Sequence, residues 1–177
     1  GKRKASQGKN FPRPYFAMHP MTNEGYPVPN QLSLAIARRE SEFDPKVISP
    51  VGAAGIMQVM PRTAREMAGK IGLRYDQKRM TLDWKDNARI GTAYLKELNE
   101  RFGSNPVLVS VAYNAGPTRA QKWSALLGDP RSTKVNIIDW IEMIPFDETR
   151  NYVMRTTESI PMYRARLGKD PLPVPFS

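Results

Sequence analysis

The sequence predicts a single, predominantly α-helical globular domain that follows a basic N-terminal arm. Apolar residues recur at helical spacing in several segments, and Gly or Pro residues separate these segments from one another. A chain of 177 residues with 40% hydrophobic residues can bury one core but is short for two. We therefore divide the chain into a basic arm and linker at residues 1–29, a globular domain at 30–168 and an extended tail at 169–177.

The first predicted helix begins after Pro29, with Asn30 as its N-cap. Leu32 and Ile36 lie on one apolar face, and Glu40 continues that face by one more turn. A carboxyl group on a buried face has a raised pKa, as a general acid requires near neutral pH. The structural alternative is that Glu40 pairs with an arginine beside a core helix.

The segment after this helix has an unusual composition. Residues 47–61 carry no charge and are rich in Gly, Ala and Met, and turn signals lie at residues 44–45 and 49–52. Small residues allow the backbone to approach a ligand, or Glu40, closely. The alternative is a buried loop that packs against a core helix.

The remaining chain predicts further helices. They are expected at 63–70, 83–102, 105–116, 118–127, 136–143 and 147–167. The segment at 105–116 contains β-branched residues, which favour a strand, but its Asn-Pro start and closing Gly favour a fully buried helix.

Tyr113 and Asn114 end that apolar helix and bring hydrogen-bonding groups that need partners. In the functional interpretation, Tyr113 donates to the catalytic carboxylate or to the substrate. In the structural one, Tyr113 donates to a backbone carbonyl and Asn114 caps a turn. Glu148, in the first turn of the last helix, is likewise explained by the helix dipole alone.

The net charge of +10 favours a polyanionic partner, which could be nucleic acid, an anionic membrane surface or an acidic cell-wall polymer. Residues 1–14 hold five basic residues and no acidic one. The basic residues beyond this arm are scattered and not interleaved with aromatic ones, so no nucleic-acid binding is expected of the domain. No apolar run reaches the length of a membrane-spanning helix.

The composition also limits the chemistry. The chain has no cysteine, and its one histidine is His19, which excludes Ser-His-Asp and Cys-His catalysis and disfavours a zinc site. We expect no metal and no cofactor. Any catalysis must use carboxylates, hydroxyls and amides.

Three separated blocks resemble the catalytic domain of the soluble lytic transglycosylases, enzymes of the goose-lysozyme-like group that cleave bacterial peptidoglycan. The blocks are ARRES with SPVGAAGIMQVMP at residues 37–61, AYNAGP at 112–117 and IPFDETRNYV at 144–153. They occur in the family's order, and the resemblance covers about residues 30–167, with Ile56 where leucine is common in the family. It implies an α+β lysozyme-like fold for the domain.

The resemblance also implies roles for individual residues. Glu40 matches the family's catalytic acid, and Tyr113 matches the tyrosine whose hydroxyl supports that carboxylate. The remaining matches are to residues that bind the substrate, namely Ser49, Gln58, Met60, Asn114 and Glu148.

A single catalytic carboxylate implies a substrate-assisted mechanism, because ordinary glycosidases use two. Asp44, one turn beyond Glu40, would be the second candidate, but its Asp-Pro turn is expected to direct it to solvent. The resemblance then implies non-hydrolytic cleavage of peptidoglycan that gives 1,6-anhydromuropeptides, in the bacterial periplasm or cell envelope.

Two alternatives stay open at this point. A lysozyme-type hydrolase would act on the same substrate with water in place of the sugar's C6 hydroxyl, and a basic wall- or nucleic-acid-binding module would not be an enzyme at all. The sequence predicts no partner protein and no oligomeric state.

Overall fold

The computed structural model describes residues 16–171, and these residues form a helical domain. A 3₁₀ turn at Pro20–Asn23 precedes the first α-helix. The helices are α1 (Asn30–Ser41), α2 (Pro61–Ile71), α3 (Arg79–Leu82), α4 (Trp84–Arg101), α5 (Pro106–Ala115), α6 (Pro117–Leu127), α7 (Ile137–Glu142) and α8 (Asp147–Arg166). The predicted helical fold class is confirmed.

Helix α5 lies at the centre of the domain. Its residues from Pro106 to Ala112 are all buried, and the side chain of Asn105 caps it by accepting from the backbone N–H of Leu108 at 3.0 Å. Helix α8 packs against both α5 and α1, while α4 packs against α2 and α3. The interpretation of residues 105–116 as a buried helix is therefore confirmed, because burial on all sides outweighs the strand preference of its valines.

The start of α1 differs in detail from the prediction. Pro29 occupies the N-cap position, and Asn30 is the first helical residue. The side-chain amide of Asn30 donates to the carbonyl of Thr22 at 3.4 Å instead of capping the helix. A contact between distant segments has replaced the local one.

Within residues 16–171, the β-bridges are confined to the uncharged segment after α1. Ala54 forms isolated antiparallel bridges with Ile48 and with Val59. Asn87, buried on α4, closes this folded loop: its Oδ1 accepts from the N–H of Met57 at 2.9 Å, and its Nδ2 donates to the carbonyl of Ala54 at 2.8 Å. One α4 side chain thus attaches the loop to the helical core.

Residues 16–29, which the sequence analysis assigned to the arm and linker, pack against the domain. Met21 is fully buried, and the hydroxyl of Tyr163 on α8 donates to the carbonyl of Ala17 at 2.8 Å. The ring of His19 stacks on Phe43 with centroids 5.4 Å apart. Apolar and aromatic residues with no helical period still contribute to the core here, because tertiary packing does not require a periodic pattern.

The two ends of the chain hold the rest of the predicted arm and tail. Residues 1–15, with the basic cluster, and residues 172–177 lie outside the described residues, so the proposed boundaries remain a prediction. At the start of the tail, the ammonium group of Lys169 donates to Oε1 of Gln31 at 2.8 Å. Among residues 16–171, no helix is long and apolar enough to cross a membrane.

Gly55 allows the loop to approach α4 closely. We therefore predict that replacing Gly55 destabilises the fold more than replacing Gly72 does. Gly55 and Gly72 both have positive φ, 83° and 73°. A Cβ atom at Gly55 would lie 2.2 Å from the carbonyl oxygen of Met80 and 2.2 Å from Nδ2 of Asn87, whereas at Gly72 it would meet nothing within 4 Å. Gly72→Ala therefore isolates the backbone strain.

We expect Gly72→Ala to lower the free energy of unfolding by about 1–2 kcal/mol. Gly55→Ala should lower it by at least about 2 kcal/mol more, because a neighbouring backbone must also move. Urea denaturation measures both values. Equal losses in the two variants would show that Asn87 does not hold the loop tightly.

Candidate active site

Glu40 lies in the last turn of α1, where this helix packs against α8. The residue as a whole is partly exposed, but its carboxyl group is buried, and this burial raises the pKa of Glu40 to about 7. A hydrogen bond from Tyr152 and the charge of Arg39 oppose this rise, and the charge of Glu148 adds to it. The raised pKa expected from the sequence is thus present.

The hydrogen-bond partner of Glu40 is Tyr152 of α8, whose hydroxyl donates to Oε2 at 2.7 Å. Among the described residues, Glu40 forms no ion pair, and the neighbouring Arg38 instead donates to Oγ of Ser159 at 3.1 Å. The structure therefore does not support the alternative in which Glu40 is a core residue paired with an arginine.

The hydrogen bond of Tyr113 differs from the one that the resemblance implies. Its hydroxyl donates to the carbonyl oxygen of Met57 at 2.7 Å and forms no hydrogen bond with Glu40, although the charge of Glu40 acts on it. The end of α5 places this ring over the folded loop, whereas α8 lies against α1 and presents Tyr152 to the carboxylate. The hydrogen bond to a backbone carbonyl was the structural interpretation of Tyr113.

The sequence did contain a signal for Tyr152, which the sequence analysis missed. Tyr152 lies in the third family block. It precedes Thr156, which is buried on α8, by four residues, so both lie on the same side of this helix. Burial, followed by the charge of Glu40, raises the pKa of Tyr152 and of Tyr113 well above the usual value. Both phenols therefore stay neutral at physiological pH.

Asn114 and Glu148 meet where α5 ends and α8 begins. The hydroxyl of Thr149 donates to Oδ1 of Asn114 at 2.7 Å, and Nδ2 of Asn114 lies 3.5 Å from Oε2 of Glu148. Glu148 is exposed, and its charge acts on Glu40. The predicted pair is thus together and electrostatically linked to the buried carboxyl group.

The folded loop holds the other three predicted residues. Oγ of Ser49 accepts from the N–H of Ala53 at 3.0 Å, and Nε2 of Gln58 donates to the carbonyls of Val47 and Gly55, each at 2.9 Å. Met60 at the end of the loop is 42% exposed.

A cavity of about 210 Å³ brings four of the predicted residues together. Its wall contains Gln58, Met60, Tyr113 and Asn114. Ser49, Glu148 and Glu40 are not part of this wall. The loop, α2, α4 and the end of α5 therefore surround one concave surface.

This arrangement supplies one carboxyl group that can both give and take a proton near neutral pH. Asp44 does not provide a second one, because it is exposed and accepts from the N–H of Lys46 at 2.9 Å. Within residues 16–171, no group of three or more His, Cys, Asp or Glu side chains could hold a metal ion.

The buried carboxyl group predicts a pH-dependent stability difference. A carboxyl pKa that is raised by folding favours the folded state at low pH and disfavours it as pH rises from the unfolded pKa to the folded one, here up to about 7. Glu40→Gln removes this effect. We expect the variant to match the wild type near pH 4.5 and to exceed its free energy of unfolding by up to about 3 kcal/mol at pH 8.

Urea denaturation at both pH values measures this difference, and Glu42→Gln is the matched control because Glu42 is exposed two residues away. A Glu40→Gln variant that is no more stable at pH 8 than the wild type would contradict the burial of an ionised carboxylate.

The comparisons with known proteins agree on one family. The family described as "Transglycosylase SLT domain" matches residues 19–136. The soluble lytic murein transglycosylase of Escherichia coli is 38% identical over 164 residues, which are 92% of this chain and 25% of that protein. The chain thus spans about a quarter of the length of this relative.

Solved structures give the same result. The 70-kDa soluble lytic transglycosylase from Escherichia coli superposes with a TM-score of 0.77 at 35% identity, covering 89% of this chain and 25% of that one. An inactive glutamate-to-glutamine mutant of the lytic transglycosylase Slt from Pseudomonas aeruginosa gives a TM-score of 0.75 at 36% identity, covering 85% of this chain and 24% of that one. On sequence and fold together, this chain belongs to the transglycosylase SLT domain family.

Proposed function

We propose that this chain cleaves the β-1,4 bond between N-acetylmuramic acid and N-acetylglucosamine in peptidoglycan without hydrolysis. The observation that carries the proposal is the buried carboxyl group of Glu40, which has a pKa of about 7 and a hydrogen bond from a neutral phenol. Family membership supports the substrate, since the relatives are named lytic murein transglycosylases.

Glu40 acts first as a general acid. In its protonated form it gives its proton to the glycosidic oxygen as the bond to C1 of N-acetylmuramic acid breaks. The oxygen of the sugar's own N-acetyl group stabilises the positive charge that develops at C1, in place of a second carboxylate. The hydrogen bond from Tyr152 then stabilises the carboxylate that Glu40 becomes.

Glu40 acts next as a general base. Its carboxylate takes the proton from the C6 hydroxyl of the same sugar, and the C6 oxygen attacks C1 to form the 1,6-anhydro product. No water is consumed, and Glu40 is returned to its protonated state. The attack is intramolecular, so it needs no second molecule to be positioned.

The remaining predicted residues form the binding surface in this proposal. Tyr113, Asn114, Gln58 and Met60 bind the glycan in the cavity, and Ser49 and Glu148 bind it outside the cavity wall. A net charge of +10 favours a polymer whose peptide stems carry carboxylates. With this substrate, the site of action is the bacterial periplasm or cell envelope.

The product distinguishes the proposed reaction from its alternative. Mass spectrometry of fragments released from purified peptidoglycan should find anhydromuropeptides, which are lighter by one water than reducing-end muropeptides. We expect Glu40→Gln to lower their release at least about 100-fold, in line with the loss of a general acid, and Glu42→Gln to release them at the wild-type rate.

Reducing-end fragments would make the protein a lysozyme-type hydrolase. No release by the wild type would refute the enzymatic function and direct attention to a wall- or nucleic-acid-binding role.

The pH dependence of the rate tests the role of Glu40 as an acid. Because Glu40 must be protonated to start the reaction, kcat/KM should fall as pH rises through about 7. Tyr152→Phe removes a hydrogen bond that lowers the pKa of Glu40, so the fall should move to higher pH while the maximal rate decreases about tenfold or more.

Tyr163→Phe is the matched control for this pH profile. Tyr163 is on the same helix, but its hydroxyl donates to Ala17, so its loss should leave the profile unchanged. A Tyr152→Phe profile that coincides with the wild-type profile would remove Tyr152 from the mechanism.

A further inference from the structure

A positively charged group lies beside the cavity and has no role in the reaction proposed above. Arg119 is exposed on the first turn of α6, directly after the Asn114–Gly116 segment that borders the cavity. Its Nη1 donates to the carbonyl of Ala115 at 3.3 Å. This contact holds the guanidinium close to the binding surface.

An aromatic ring packs against the same guanidinium. Cζ of Arg119 lies 4.8 Å from the centroid of the Phe146 ring, and Phe146 packs edge-on against Trp123 at 5.2 Å. Phe146 immediately precedes α8 and stands two residues before Glu148. Arg119 is therefore held between the end of α5 and the start of α8, the same two segments that hold Asn114 and Glu148.

No carboxylate of residues 16–171 forms an ion pair with Arg119. The nearby Asp147 pairs with Arg150, and Glu148 has Asn114 as its polar partner. A guanidinium has five N–H donors, of which one donates within the described part of the chain. Arg119 thus has two contacts that restrain it and further donors that can bind a ligand.

We propose that Arg119 is a specificity-determining residue that binds a carboxylate of the peptide stem attached to the glycan. The inference rests on the proposed function, because it names a further part of the same substrate. A planar guanidinium binds a carboxylate through two parallel hydrogen bonds, and the cation–π contact with Phe146 restricts the movement of this one. The enzyme therefore discriminates between peptide-bearing and peptide-free glycan.

Binding to a protein that does not turn over tests this role. In the Glu40→Gln background, isothermal titration compares the disaccharide tetrapeptide of peptidoglycan with the same disaccharide without peptide. Arg119→Met should raise the Kd of the peptide-bearing ligand about tenfold, the effect of a lost charge-assisted hydrogen bond, and leave that of the peptide-free one unchanged.

Two further variants control this measurement. Arg74→Met removes an arginine that is also exposed and has no ion pair with residues 16–171 but is not part of the cavity wall, so both Kd values should stay as they were. Arg119→Lys keeps the positive charge but not the planar pair of N–H donors, and it should lose less affinity than Arg119→Met. Matching thermal unfolding of the variants shows that they share one fold.

Chemical modification of the ligand completes the test. Converting the stem carboxylates to carboxamides should weaken binding to the Arg119-containing protein and have no further effect on the Arg119→Met variant, as in a double-mutant cycle. Equal losses on both disaccharides, no loss on either, or additive effects of the two changes would overturn the proposal.

The proposed function fails in a different way. If the Glu40→Gln protein bound neither disaccharide and the wild type released no fragments, the substrate itself would be wrong, and the inference would fall with it. Binding of both disaccharides with equal affinity would overturn only the role of Arg119.

Discussion

The hydrogen bond between Tyr152 and Glu40 joins the two helices on which the candidate site depends. Burial between α1 and α8 raises the pKa of the carboxyl group, while the phenol and Arg39 limit this rise to about 7. Because the pKa of Tyr152 is itself raised, the phenol remains a neutral donor beside either form of the carboxyl group. The packing of α1 on α8 thus sets the proton affinity that acid and base catalysis by one residue would need.

The second constraint is the attachment of the uncharged loop to the helical core. Asn87 is fully buried on α4 and satisfies two backbone groups of the loop, at Met57 and Ala54. Met57 in turn offers its carbonyl to Tyr113 at the end of α5. The wall of the cavity is therefore positioned by a buried chain of polar contacts between α4, the loop and α5, and not by the loop alone.

The site also contains unfavourable features that the surrounding structure offsets. Gln58 has a left-handed backbone with φ of 50°, and its side chain donates to two loop carbonyls that hold this conformation. The buried carboxyl group of Glu40 is unfavourable when ionised, and it lies where α1 has strong apolar packing. Strain and desolvation of this kind persist at functional sites because the neighbouring elements fix them in place.

Periodicity and capping within single segments are enough to predict the helical fold class, the buried helix α5 and the position of Glu40 on an inward face. The three family blocks also identified the loop, Tyr113, Asn114 and Glu148 as neighbours. Four of the predicted residues share one cavity wall, namely Gln58, Met60, Tyr113 and Asn114. Only the packing of distant segments gives Glu40 a hydrogen bond from Tyr152 and not from Tyr113, attaches the loop to Asn87 and buries Met21 of the expected linker. These contacts join residues far apart in the chain, and their geometry depends on how helices cross, which no pattern within one segment contains.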